Sequence, residues 1–281
     1  MAERQQWYRR WGAVVVAAGV VAGVGLGSSG CSGNGAAAQG VSAEESVAVV
    51  QRAAEELVEA RSSKARTSME MATGGTRVTI RGEGVYDFRR QTGQLKVLLP
   101  QDPAGASTQR PITELLAPGA LFMKNRGAGV PADKWVRVET RSLSDGNLVT
   151  GGATDPFAAA EVLRGARSAT YVGETEVAGT PVRHYRGTAD LGAAAEGASA
   201  GNKEALAAAA KGFATARVPF DVYLDGQGRI RKVRHRFSFV NGQQPGSVAV
   251  ASTTLLYDFG APVDVRLPDD EDIYAGKIAE G

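Results

Sequence analysis

The sequence predicts an α+β fold in which helices cover the concave face of one large, curved antiparallel β-sheet, a half-barrel. Apolar residues recur at every second position in several long segments after Thr76, as they do in strands that bury one face. Short sequences such as Ala178-Gly179 and Asp225-Gly226 separate neighbouring segments and favour hairpins. The regular strand–helix alternation of parallel sheets is missing from the sequence, so an antiparallel meander is expected.

Residues 1–30 have the layout of a secretory signal. A basic leader precedes the uncharged run Trp11–Leu26, and small residues follow up to Cys31. Cys31 is the only cysteine and cannot form an internal disulfide. Its position resembles that of the lipidation cysteine of bacterial lipoproteins, although Ser28 stands where such signals usually have leucine. We therefore expect residues 1–30 to be removed and Cys31 to carry acyl chains that hold the protein on the outer face of the cytoplasmic membrane.

An uncleaved membrane anchor and a soluble secreted chain are the alternatives for this segment. The uncharged run of about 16 residues is shorter than the ~20 that a membrane-spanning helix needs. A spanning anchor is therefore the second choice.

The charge balance argues against a nucleic-acid partner. Removal of residues 1–30 takes away three of the 32 basic residues and one of the 30 acidic ones, so the remaining chain is close to neutral. A nucleic-acid-binding domain would need a net basic surface. Hydrophobic residues make up 43% of the chain but aromatic residues only 6%, so the core must be mostly aliphatic.

The folded domain is expected to span residues 42–281, after a flexible tether at residues 31–41. The tether is predicted from its small, uncharged residues. Ser42 and Glu45 have the spacing of a capping box and predict the start of a helix of about 20 residues. Its apolar stripe contains Val47, Val50, Ala54, Leu57, Val58 and Arg61.

The first half of the domain predicts four strands and a short helix. The longest strand begins at Thr76 and places Val78, Ile80, Tyr86 and Phe88 on one face. Asp155 and Pro156 predict the cap and first position of a helix that ends near Leu163. The three other strands are expected at Gln94–Leu99, Leu121–Lys124 and Trp135–Glu139.

The second half predicts five strands around a segment rich in alanine and glycine. The strands are expected at Thr170–Val177, Thr180–Thr188, Val218–Leu224, Arg229–Val240 and Val248–Phe259. In the segment between them, Gly192–Gly201 has little to bury and is expected to be mobile, and Asn202 is expected to cap a helix that reaches Phe213. The apolar faces of the strands contain Phe220, Val222, Leu224, Val233, Phe237 and Phe239.

No enzymatic site, metal site or cofactor is expected from the sequence. Gly197–Gly201 matches the G-x-S-x-G motif around Ser199, and Asp221 and His235 follow in the order found in hydrolases. That motif needs a strand before it and a helix after it within an α/β sheet, whereas here an alanine- and glycine-rich tract precedes it. No cluster of His, Cys, Asp and Glu has metal-ligand spacing. An esterase that depends on Ser199 is therefore a minor alternative.

Several segments resemble a known protein family from Val47 almost to the C-terminus. The chain is similar to the LolA-like lipoproteins of actinobacteria, the LppX/LprAFG family of lipid-binding lipoproteins. Tyr223 is a departure, because this position is more often Trp in the family. The segments that carry the resemblance are Ser62–Arg66, expected to close the first helix, and Gly82–Phe88, Lys134–Val136, Gly173, Val177–Gly187, Phe220–Arg229 and Tyr257–Val263.

The resemblance implies a membrane-tethered, non-enzymatic protein whose concave sheet face encloses an apolar cavity for a lipid or glycolipid, and which carries that ligand across the cell envelope. The alternative is a scaffold or sensor lipoprotein with a packed core that binds a protein partner. Most apolar strand faces simply pack, so the residues alone do not separate these two models. The candidate cavity-lining residues are Val78, Ile80, Tyr86, Phe88, Phe220, Val222, Leu224, Val233, Phe237 and Phe239.

Overall fold

The structure, a computed structural model, describes residues 42–73, 76–99, 110–127, 129–149, 154–240 and 247–276. The predicted signal peptide, Cys31 and the tether lie outside the described residues. Gly40–Gly281 forms one compact unit. All the helices and strands given below lie in this unit, so we expect it to fold without the residues that precede it.

The described strands form one antiparallel sheet of eleven strands. Strands that follow each other in the chain are neighbours in the sheet, except that β1 pairs with β11 and β6 and β7 lie at its two edges. Two meanders, β1 to β6 and β7 to β11, are thus joined by the β1–β11 pair. The strands are β1 Ser62–Thr73, β2 Thr76–Asp87, β3 Thr92–Leu98, β4 Ile112–Ala117, β5 Ala120–Lys124, β6 Val136–Glu139, β7 Ala166–Val177, β8 Thr180–Asp190, β9 Arg217–Leu224, β10 Ile230–Val240 and β11 Ser247–Tyr257.

The helices cover the concave face of the curved sheet, which confirms the predicted α+β half-barrel. Helix α1 packs mainly on β7 and reaches β1 and β10, while α2 packs on β10 and α3 on β8. No helix in the described part of the chain is long and apolar enough to cross a membrane. The helices are α1 Ala43–Ala60, α2 Pro156–Val162, α3 Leu191–Gly197 and α4 Ala200–Gly212, with short 3-10 turns at Thr140–Ser142, Leu163–Gly165 and Asp270–Asp272.

Helix α1 begins as predicted. The Ser42 hydroxyl accepts a hydrogen bond from the backbone N–H of Glu45 at 3.1 Å. The helix buries Val50, Ala53, Ala54 and Leu57 against the sheet, whereas the predicted stripe residues Val47 and Val58 are only half-buried. Arg61 is not on the helix: it follows it with a φ of 70° and turns the chain into β1.

Two strands were not predicted from the sequence. Ser62–Arg66, expected to close the first helix, is the start of β1, where Ala65 is buried and Lys64 and Arg66 are exposed. This alternation is hard to detect because the inward residues are small. Strand β4 has apolar residues on both faces and an acid, Glu114, on the inner one, so it lacks a period of two. Trp135 is not part of β6 but forms an isolated parallel bridge with Ile273.

The alanine- and glycine-rich segment is more regular than predicted. Most of Gly192–Gly201, which was expected to be mobile, belongs to helix α3 and to the start of α4. The Asp190 carboxylate caps α3 by accepting from Ala193 N–H at 2.8 Å. Small residues allow close packing here, since a Cβ at Gly165 would lie 2.1 Å from the Asp190 carbonyl oxygen. Ser199, not Asn202, is the N-cap residue of α4.

Candidate ligand-binding edge of the sheet

The predicted cavity residues all lie in one hydrophobic cluster between the sheet and the helices. Eight of the ten are buried, while Val78 and Phe239 are half-buried. Cross-strand registers place them on the concave face, for example Met71 opposite Val78 and His235 opposite Phe220. The apolar face was therefore predicted correctly, and its role as a cavity lining stays a prediction.

Aromatic rings on this face contact residues that the helices supply. Phe157 of α2 lies 6.0 Å from Phe88 between ring centroids. Phe213, which follows α4, stacks on Phe237 at 4.9 Å and meets Phe239 at 4.5 Å. Sheet and helices therefore pack directly on each other at these positions.

The apolar interior reaches solvent at one end of the strands, which we call the open edge. It is formed by the ends of β1, β3 and β10 and the starts of β2, β4 and β11. At the other end of the same face, Tyr86, Leu116 and Leu256 are at most 2% exposed. Among the described residues, the concave face is thus closed at one end and only partly covered at the other. The half-buried apolar residues of the open edge are Met71, Val78, Leu99, Phe239 and Val248.

A depression of about 540 Å³ lies at the open edge, beside β4. Leu99, Ile112 and Val130 give it apolar walls, and Arg110 and Arg126 place positive charge along it. Apolar walls with a few polar groups are typical of sites that bind amphiphilic molecules. Sequence reasoning missed this site because its residues come from a strand end, an unpredicted strand and a loop.

The convex face of the sheet has a different character. A depression of about 330 Å³ there is lined by Arg66, Arg81, Lys96 and Leu98, among others. Arg66 donates a hydrogen bond to Glu83 at 3.0 Å, and Leu98 is 56% exposed. This depression therefore combines charged side chains with apolar surface, and it lies on the opposite face of the sheet from the buried apolar cluster.

The concave face also carries buried polar groups. His235 is 1% exposed, its Nε2 has no hydrogen-bond partner among the described residues, and burial lowers its pKa to about 3. Asp155 accepts a hydrogen bond from the Tyr86 hydroxyl at 3.2 Å, and burial raises the pKa of this carboxyl to about 6. Glu114 is fully buried, and its pKa is raised to about 8, mainly by burial. Within the described residues, no group of three or more His, Cys, Asp and Glu side chains could hold a metal ion.

The three residues of the esterase alternative do not come together. The Ser199 hydroxyl donates to Glu161 Oε2 at 2.9 Å. The Asp221 carboxylate lies beneath the convex face and accepts from Arg186 at 2.8 Å and from Arg236 at 2.9 Å. His235 is on the concave face, because its cross-strand partner is Phe220 and not Asp221. Asp221 and His235 therefore lie on opposite faces of the sheet and do not form a catalytic triad with Ser199.

The fold and the open edge define a class of protein, namely a helix-covered, curved antiparallel sheet whose apolar interior is accessible at one end. No family model and no curated protein matches the chain. Among solved structures, the chain is similar to the lipoprotein LppX of Mycobacterium tuberculosis, with 10% identity, a TM-score of 0.47, and coverage of 80% of this chain and 100% of that one.

Two further solved structures are similar. LprF from Mycobacterium bovis has 14% identity and a TM-score of 0.38, with 82% of this chain and 99% of that chain covered. A putative outer membrane lipoprotein-sorting protein domain from Vibrio parahaemolyticus has 10% identity and a TM-score of 0.32, with 79% and 95% covered. At such low scores, none of these likenesses decides what the chain binds.

Proposed function

We propose that this protein is an exported, lipid-anchored lipoprotein that binds a lipid or glycolipid through the open edge. The observation that supports the proposal most is the gradient of exposure along the concave face, from closed at Tyr86 to half-buried at Met71 and Val78. An acyl chain that enters there would extend the apolar cluster inward. Hand-over of the ligand to another carrier or membrane is part of the proposal.

The energetics favour an acyl ligand at this place. Each methylene group that leaves water contributes about 0.8 kcal/mol, so a chain of moderate length can offset the cost of rearranging a few side chains. Arg110 and Arg126 line the depression beside Leu99 and Ile112. Their positive charge would lie near the polar or anionic head of the ligand.

A charge at the open edge should strongly reduce lipid retention. Met71→Lys keeps an unbranched side chain of similar length at a half-buried position but places an ammonium group in the apolar entrance. We expect at least a tenfold loss of bound lipid, because the lipid would bury this unpaired charge at a cost above the ~1.4 kcal/mol that corresponds to a factor of ten. The measurement is native mass spectrometry and lipid extraction on Gly40–Gly281 after exposure to membranes of the producing organism.

Leu98→Lys is the matched control, since it introduces the same charge close by but on the convex face, where Leu98 is already 56% exposed. It should retain lipid like the unmodified unit. Equal retention by both variants would contradict entry at the open edge. A lipid-free mass for the unmodified unit would favour the alternative of a packed core and a protein partner. The contacts of the Phe213 ring with Phe237 and Phe239 are also consistent with a packed core.

Anchoring is tested separately at Cys31. If this residue carries the acyl chains, Cys31→Ser in the full chain should move the protein from the membrane fraction to the soluble fraction of the cell envelope. A second membrane attachment elsewhere in the chain would reduce this release, because the number of attachments sets the strength of anchoring. Mass analysis of the N-terminal peptide would show whether Cys31 is modified. An unmodified cysteine on a membrane-bound protein would rule out this anchor.

A further inference from the structure

Glu114 on β4 is a carboxyl group buried in the apolar interior. The residue is 0% exposed, and neither carboxyl oxygen has a hydrogen-bond partner among the described residues. Its neighbours across the sheet are Leu95 on β3 and Met123 on β5, so the side chain lies among apolar groups. An unpaired buried polar group costs stability, and such groups in native proteins usually have a role or a missing partner.

The surroundings favour the neutral form of this acid. The pKa of Glu114 is raised to about 8, mainly by burial and to a smaller extent by the negative charge of Asp155 at the start of α2. The positive charge of Arg126, after β5, acts in the opposite direction. Tyr86 adds a hydroxyl group to this region through its hydrogen bond to Asp155. At neutral pH, Glu114 can therefore both donate and accept a hydrogen bond.

Glu114 lies next to the depression at the open edge, two residues further along β4 towards the closed end of the sheet. Ile112, two residues earlier on the same strand, lines that depression, and so does Arg126. Residues at i and i+2 of a strand share a face and are about 7 Å apart. A ligand that passes Ile112 would reach Glu114 next.

We infer that Glu114 is an interior polar subsite for a hydroxyl group of the bound lipid. The ligand class is a hydroxylated amphiphile, such as a partly acylated glycerol or sugar. A hydroxyl group fits because it can accept from the neutral acid and donate to it. An amine fits less well, since its charge would be desolvated beside Arg126. This inference rests on the proposed function and deepens it.

The test compares two probes that differ only in hydroxyl groups, monopalmitoylglycerol and the same molecule with both hydroxyls methylated. Binding to Gly40–Gly281 is measured for the unmodified unit, Glu114→Gln and Glu114→Leu. We expect the unmodified unit to prefer the hydroxylated probe roughly tenfold, the size expected for one buried hydrogen bond. Glu114→Gln retains a donor and an acceptor and should keep most of this preference, whereas Glu114→Leu should bind both probes equally well.

Three outcomes would overturn the inference. Equal binding of both probes by the unmodified unit, or an unchanged preference in Glu114→Leu, would mean that Glu114 does not contact the hydroxyl group, while binding at the open edge would stand. Binding of neither probe by any variant would remove the proposed function and the subsite together. Loss of folding is not expected to obscure the result, because replacing an unpartnered buried acid by leucine removes a destabilising group.

Discussion

Replacing Phe157 with alanine should lower the free energy of unfolding by about 3–5 kcal/mol, the usual cost of removing a buried phenylalanine ring. Phe157 is 1% exposed, and its ring centroid lies 6.0 Å from that of Phe88 and 6.5 Å from that of Tyr86. Helix α2 has only seven residues, so this ring supplies much of its attachment to the sheet. Urea unfolding of Gly40–Gly281, followed by circular dichroism, measures the change.

Val172→Ala is a suitable control, because this apolar residue of β7 is 52% exposed. Its replacement should change the free energy of unfolding by less than about 0.5 kcal/mol. A loss below about 1 kcal/mol for Phe157→Ala would contradict the prediction. It would indicate that α2 is only weakly held on the sheet, and a helix of that kind could move aside for a ligand.

Most of the sheet could be predicted because large apolar residues alternate with polar ones. Strand β2 is the clearest case, with Ile80 and Tyr86 inward and Arg81 and Glu83 outward. Strand β1 was not predicted because its inward residues are small. Strand β4 was not predicted because its outer face also packs in a hydrophobic cluster, the one around Phe122. The outer face therefore lacks the alternating polar residues that indicate a strand.

The candidate site could be predicted only in part. The pattern of each strand reveals which side chains face inward, but it does not reveal which end of the strand lies near solvent. That depends on the helices and loops that cover the sheet, and Leu99 and Val130 reach the open edge from two separate parts of the chain. Glu114 does leave a local signal, since it is an acid within the apolar segment Ile112–Ala117.

His235 should make the protein sensitive to acid. Burial lowers the pKa of this histidine from its ordinary value of 6.5 to about 3, so the folded state keeps the ring neutral while the unfolded chain binds a proton. Because the unfolded state binds more protons between these values, stability falls as the pH falls from 6.5 towards 3. At 1.36 kcal/mol per pKa unit, the loss is on the order of 4 kcal/mol. Glu114 and Asp155 act in the opposite direction, since their raised pKa values remove stability as the pH rises above about 4.

The contribution of His235 can be isolated by comparing the unmodified unit with His235→Leu. Leucine fills a similar apolar space beside Phe237, whose ring centroid is 5.8 Å from that of the imidazole, and it cannot bind a proton. The free energy of unfolding in urea, measured from pH 3 to pH 8, should fall less steeply below pH 6.5 in the variant. The carboxyl groups are the same in both proteins, so their effect cancels in the difference. Parallel curves would show that His235 takes up its proton in the folded state, and water or a ligand group would then have to reach the concave face at this position.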